Sequence, residues 1–222
     1  MAYNDFLTSQ NFNASDGIVA CNARMADEVR DLKSRTGAPM LNGKPVWTCE
    51  DGVDTNRFQP APFPDEFTVA WSGNSQAARD NLKGLNLVQE ACEKLQIRLV
   101  LADRHSTGLP FDQMADFYSG ATVGCFPSRS EGTPNPLLKL LAMGRCVAIT
   151  DVGLANRVIR EGRTGTIIEH RSVDEVAEAL ERLMGMNLSE NVERCRKVAL
   201  AYSWERKIND WQPVFDQFLG KR

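Results

Sequence analysis

Short apolar runs alternate along the chain with longer stretches whose apolar residues recur every three or four positions. That alternation predicts a parallel sheet covered by helices. Residues 18–21 read as a buried strand, and Asn22 as the cap of a helix running to about Arg35, with Met25, Val29 and Leu32 on one face. A second short strand is expected over 46–49. The stretch 59–64 holds three alternate prolines, which fix φ and remove backbone donors, so it is expected to be a stiff extended linker.

Beyond the linker the pattern predicts strands over 68–72, 97–102, 122–126, 146–150 and 166–168. Helices are expected over 82–95, 111–118, 135–143, 154–161, 173–184, 189–201 and 204–218. The fold class is therefore α/β. A Rossmann-like, doubly wound parallel sheet with a closing carboxy-terminal helix is expected over 59–222, complete from about Phe67 to Ala201. Residues 1–58 supply a partial strand–helix unit and the linker. One such unit cannot bury both faces of its strand, so it is expected to dock on something larger.

Composition narrows the function classes. The chain has 222 residues, a formal net charge of -3 and 42% hydrophobic residues, which suits a globular protein and argues against nucleic acid as the default partner. The six cysteines show no metal-ligand spacing, and several lie in apolar runs. They are expected to be reduced core residues of a cytoplasmic protein. The opening residues lack the features of a signal peptide, and no apolar run nears the ~20 residues that span a bilayer. No metal site is expected.

The candidate chemistry lies in Pro127-Ser128-Arg129-Ser130-Glu131-Gly132-Thr133-Pro134-Asn135-Pro136-Leu137-Leu138-Lys139. This run follows a strand and opens a helix, the place where open α/β sheets bind ligands. The first helical turn brings unpaired amides and the positive end of the helix dipole, which together favour anions. Glu131, at the mouth, is suited to accept hydrogen bonds from hydroxyl groups. Spacing alone fits a capped turn with a solvated Glu131 equally well.

The run 131–144, followed by Cys146-Val147-Ala148-Ile149-Thr150-Asp151-Val152-Gly153, resembles the signature of family 4 glycosyltransferases. Asp51-Gly52-Val53-Asp54, ending at Phe58, resembles the start of that family's donor domain. Gly73-Asn74 with Lys83-Gly84-Leu85 resembles its phosphate loop, and Glu161-Gly162-Arg163-Thr164-Gly165 its last turn. Four motifs in family order, within 14–218, carry the resemblance. It implies the carboxy-terminal, donor-binding half of a two-domain GT-B fold, transferring a sugar from a nucleotide-diphosphate donor with retention and without a metal or other cofactor.

The resemblance also implies roles. Glu131 is the catalytic candidate, holding the donor sugar's hydroxyls. Gly73 would let the backbone approach the diphosphate, and Lys83 would neutralise it. The amides around Gly132, Thr133, Asn135 and Pro136–Leu137 would face sugar and phosphates, with Ser128 among the donor-binding residues, although Pro136 has no N–H to offer. Two positions depart from the pattern. Lys139 stands where the family has a second Glu for the ribose, and a lysine only donates; it is expected to be solvated or to reach a phosphate. Asn74 stands where an Arg is common, leaving Lys83 as the main cation, helped by Arg79. His105 and His170 read as surface residues. Trp204, Trp211, Phe215 and Phe218 form an apolar helix face, expected to pack in a core or to serve association. The expected partners are a nucleotide sugar and either an acceptor-domain chain or a second copy. The alternatives are a non-catalytic nucleotide-sugar or protein-binding module, and one chain of a split glycosyltransferase.

Overall fold

A computed structural model describes residues 14–31, 43–76 and 82–219. Along the chain run β1 (Ile18–Ala20), α1 (Ala23–Arg30), β2 (Val46–Thr48), β3 (Thr68–Gly73), α2 (Leu85–Leu95) and β4 (Arg98–Asp103). A 3₁₀ turn (Phe111–Gln113) leads into α3 (Met114–Ser119), then β5 (Val123–Phe126), α4 (Asn135–Ala142), β6 (Val147–Thr150), α5 (Ala155–Val158) and β7 (Gly165–Ile168). α6 (Val173–Met184), α7 (Leu188–Ala201) and α8 (Trp204–Leu219) follow.

The chain divides into two compact units, Met1–Asp51 with Glu205–Arg222, and Gly52–Trp204. This places the division before the proline-rich stretch rather than after Phe58, and places most of α8 with the amino-terminal unit. The packing explains both shifts. Phe58 is buried in the core of the second unit, where the Arg196 guanidinium donates to the carbonyls of Phe58, Thr55 and Ala142. Lys207 of α8 pairs with Glu50 at 2.9 Å, and the Cys49 thiol donates to the Asp210 carbonyl.

In the first unit β1 and β2 pair in parallel, Ile18 opposite Val46, and α1 is the crossover between them. The unit is thus a strand–helix–strand motif rather than a lone strand and helix. Asn22 caps α1 as expected, its side-chain oxygen accepting from the Met25 amide at 2.8 Å. The helix ends at Arg30, short of Arg35, and Leu32 lies outside the described residues. Its buried residue is Ala26, with Met25 and Val29 half-buried. The aromatic face of α8 is not core: Trp204, Phe215 and Phe218 are exposed, and Val214 is the buried residue. Phe218 meets the Trp47 ring edge-on, and Trp211 stacks on Phe215.

The second unit is a five-stranded parallel sheet in the order β4-β3-β5-β6-β7. β5 and β6 are buried along their whole length, as strands covered on both faces must be. From β3 the chain moves outward to β4, and from β5 it moves the opposite way to β6. Right-handed crossovers then put α2 and α4 on opposite faces. α2 packs against α6, and α4 against α7. Cys92, Cys125, Cys146 and Cys195 are buried here, with Cys49 buried and Cys21 half-buried in the first unit. The proline-rich stretch is clamped rather than free. Arg145, fully buried, donates to the Pro62 carbonyl at 2.7 Å and lies 4.0 Å over the Phe63 ring.

Two helices of the second unit are also shorter than the periodicity predicts. Gly84, left-handed at φ 67°, separates Leu82 and Lys83 from α2. α5 is a single turn because Ile159 turns extended, and Arg160–Thr164 form a tight turn closed by the Arg160 amide on Thr164 Oγ1.

Candidate functional site

The switch in strand order lies between β3 and β5, so the loops leaving those two strands must part there. A cavity of about 280 Å³ opens at that point, lined by Trp71, Ser72, Gly73, Asn74, Lys83, Arg104, Phe126, Ser128, Glu131, Thr133, Pro134, Asn135 and Pro136. β3 supplies the floor, β5 and its loop one wall, and the first turn of α4 the other.

Lys83 and Glu131 meet inside it. The Lys83 Nζ donates to Glu131 Oε1 at 2.6 Å and to Oε2 at 2.7 Å. Ser128 Oγ donates to the same Oε1 at 2.8 Å. Several backbone contacts impose this meeting. The Arg129 amide donates to the Leu82 carbonyl at 2.8 Å, and Thr150 Oγ1 donates to the Ser128 carbonyl. A Cβ on Gly84 would fall 2.7 Å from the Pro127 carbonyl oxygen, so only glycine lets Lys83 come this close to the β5 loop.

Not every expected residue is placed as expected. Gly73 lines the cavity, but what requires glycine there is the Trp71 ring, which a Cβ would meet at 2.7 Å. The Asn135 amide donates to the Thr133 carbonyl and the Leu137 amide to the Pro134 carbonyl. The opening of α4 is therefore not a row of bare amides: the chain's own turn takes two of them, and Pro136 has none. The Leu137 side chain is fully buried in the core. Gly132 and Leu137 fall outside the cavity lining, and so does Lys139. Lys139 is not solvated either: it is half-buried, its ammonium over the Phe58 and Phe111 rings. Arg79 lies outside the described residues. His105 and His170 are exposed.

Sequence reasoning missed Arg104 and the device that places it. Asp103, buried at the end of β4, accepts from Ser75 Oγ and the Ser75 amide, from Ser106 Oγ and amide, and from the His105 amide. One carboxylate thereby fastens the loops after β3 and β4 together beside the cavity. Burial alone would raise its pKa, but the bonds from Ser75, Ser106 and His105 more than offset this and hold it well below the ordinary carboxylate range. Because the folded value is depressed, this stabilisation is complete above about pH 4 and is lost as pH falls further. Asp103→Asn is expected to flatten the acid limb of a thermal-melt pH series and to weaken any ligand held by Asn74 or Arg104. An unchanged acid limb would refute the assignment. A strand-end Asp followed within three residues by Ser was the available signal.

Comparison with known proteins agrees with the fold. The model for the glycosyl transferases group 1 family matches residues 85–186. Those residues are therefore similar to a group 1 glycosyltransferase domain. D-inositol 3-phosphate glycosyltransferases of Acidothermus cellulolyticus and Geodermatophilus obscurus are 25% and 28% identical to it, over 75% and 84% of this chain. The matches cover 40% and 50% of those proteins, so the chain spans about half their length or less. Sucrose-phosphate synthase of Thermosynechococcus elongatus superposes with a TM-score of 0.73 at 14% identity, covering 100% of this chain and 63% of that one. That likeness establishes a GT-B-like fold. Among the described residues, no helix is long and apolar enough to cross a membrane.

Proposed function

We propose that this domain binds the diphosphate of a nucleotide sugar beside Lys83, with the sugar's hydroxyls on Glu131, and so serves as the donor half of a retaining glycosyltransferase that needs no metal. The observation that carries the reading is the largely buried ammonium–carboxylate pair in a cavity at the sheet's switch point. The two charges suit the two ends of such a donor. An ammonium is a compact counter-charge for phosphate, and a carboxylate is an acceptor for sugar hydroxyls. Ser128 fixes the carboxylate's orientation, Arg104 adds a second cation at the rim, and the α4 dipole favours negative charge nearby. Retention and metal independence come to this chain from its resemblance to family 4. The two hydrogen-bonded amides of α4 and the displaced Lys139 favour a second reading, a nucleotide-sugar-binding module without transfer.

Calorimetry with UDP, GDP and ADP tests the binding common to both readings. Lys83→Met is expected to weaken the preferred nucleotide at least about ten-fold, since a hydrogen bond to a charged group contributes about 1.5–3 kcal/mol. If none of the three binds, or Lys83→Met leaves binding unchanged, both readings fail. Hydrolysis or transfer from the matching nucleotide sugar then separates an enzyme from a module.

A further inference from the structure

The flank of the donor cavity carries a second concentration of positive charge. Lys139 lies four residues after Asn135 and three after Pro136, both of which line the cavity. That spacing puts it on their face of α4, one turn further along. Its ammonium is 5.0 Å from the Phe111 ring centroid and 5.4 Å from that of Phe58. The Arg57 guanidinium is 4.7 Å from the same Phe111 ring. Two cations therefore share one aromatic side chain, and that ring is 56% exposed.

Among the described residues, neither cationic side chain has an ion pair or hydrogen bond. The nearby Asp54 carboxylate is turned to backbone instead, accepting from the Asn56 and Arg57 amides. Burial, and then the charge of Arg57, push the Lys139 pKa down, so the empty protein holds this ammonium where its charge is disfavoured. Ring faces offset part of that cost, but they give the N–H groups no oxygen acceptor. The N–H groups of both side chains remain available at a half-open rim.

We propose that Arg57 and Lys139 form an oxyanion site beside the donor cavity, built to take a phosphate or carboxylate group carried by a ligand. Arg57 supplies a planar fork that matches either group, and Lys139 supplies a mobile point charge. Phe111 contacts both cations without neutralising them. The site does not require the cavity next to it to take a nucleotide sugar, because it rests on separate residues.

Inorganic phosphate is the probe, titrated at low ionic strength into the full chain carrying Lys83→Met, so that one of the cavity's two cations is absent. Phosphate is expected to bind, and to bind about ten-fold more weakly when either Arg57→Gln or Lys139→Gln is added, the loss expected for one charge-assisted hydrogen bond. Thermal melts of each variant check that it is folded. Failure of the Lys83→Met chain to bind phosphate, or equal binding after both further substitutions, would overturn the proposal. Repeating the titration on the wild-type chain with saturating nucleoside diphosphate locates the group. Displacement of phosphate assigns it to the donor's side, and continued binding assigns it to a second ligand. A chain that binds phosphate through Arg57 and Lys139 but binds no nucleoside diphosphate would sink the donor reading and leave the oxyanion site standing.

Discussion

Glu131→Gln is expected to tighten binding of a free nucleoside diphosphate about three- to ten-fold while slowing sugar transfer about a hundred-fold. The two effects have opposite signs because Glu131 faces two partners. In the empty cavity both of its oxygens hold the Lys83 ammonium, at 2.6 and 2.7 Å. A diphosphate arriving at Lys83 must compete with that carboxylate and sit near its negative charge. The pair is about four-fifths buried, with side-chain exposures of 23% and 18%, so screening removes only part of the effect, and a penalty of about 1 kcal/mol is expected at intermediate dielectric. Glutamine has the same shape and keeps one acceptor for Ser128 Oγ, but it leaves Lys83 free for phosphate. It is a poorer acceptor for sugar hydroxyls, and a charged hydrogen bond lost at the sugar costs about 1.5–3 kcal/mol in the transition state. Calorimetry with the free nucleotide and turnover of the nucleotide sugar read the two arms separately. Weaker nucleotide binding with unchanged transfer would contradict both assignments at once.

What the sequence made legible follows from which forces act locally. The buried strands β3 and β6 appear as apolar runs because parallel strands covered on both faces have no polar side to show. Asn22 was readable as a cap because its partner, the Met25 amide, is three residues away. The approach of Lys83 to Glu131 was expected only through the motif order, since 48 residues separate them and no periodicity links such positions. The misreadings share one cause. Lys139 occupies a helix position that looks solvent-facing, and nothing in its own neighbourhood says that Phe58 and Phe111, from two distant loops, will cover it. Arg104 looks like any charged residue after a strand until Asp103 is seen to bind Ser75 across the sheet end. The first turn of α4 had the composition of an anion site, but Pro134 and Thr133 supply carbonyls that take its amides. That outcome depends on turn geometry rather than on residue type.

Gly153→Ala is expected to cost about 3 kcal/mol of stability, lower the melting temperature by roughly 6–12 °C, and remove nucleotide binding. Gly153 follows β6 with φ 58°, a left-handed conformation in which a side chain costs about 1–2 kcal/mol. A Cβ there would also lie 2.4 Å from the Gly132 carbonyl oxygen and 2.9 Å from Pro134 Cδ. Neither is the end of a flexible side chain, so the backbone that carries Glu131 into the cavity must move. Gly162→Ala separates the two contributions. Its φ is 68°, but a Cβ there meets nothing within 4 Å. It is therefore expected to lose only the conformational part, about 1–2 kcal/mol, and to bind nucleotide normally. Because Gly162 is also not among the residues lining the cavity, the comparison holds backbone strain nearly constant and varies only the pressure on the Glu131 loop. Equal losses of stability in the two variants, with binding retained in both, would show that the close approach of Gly153 to Gly132 does not hold the site together.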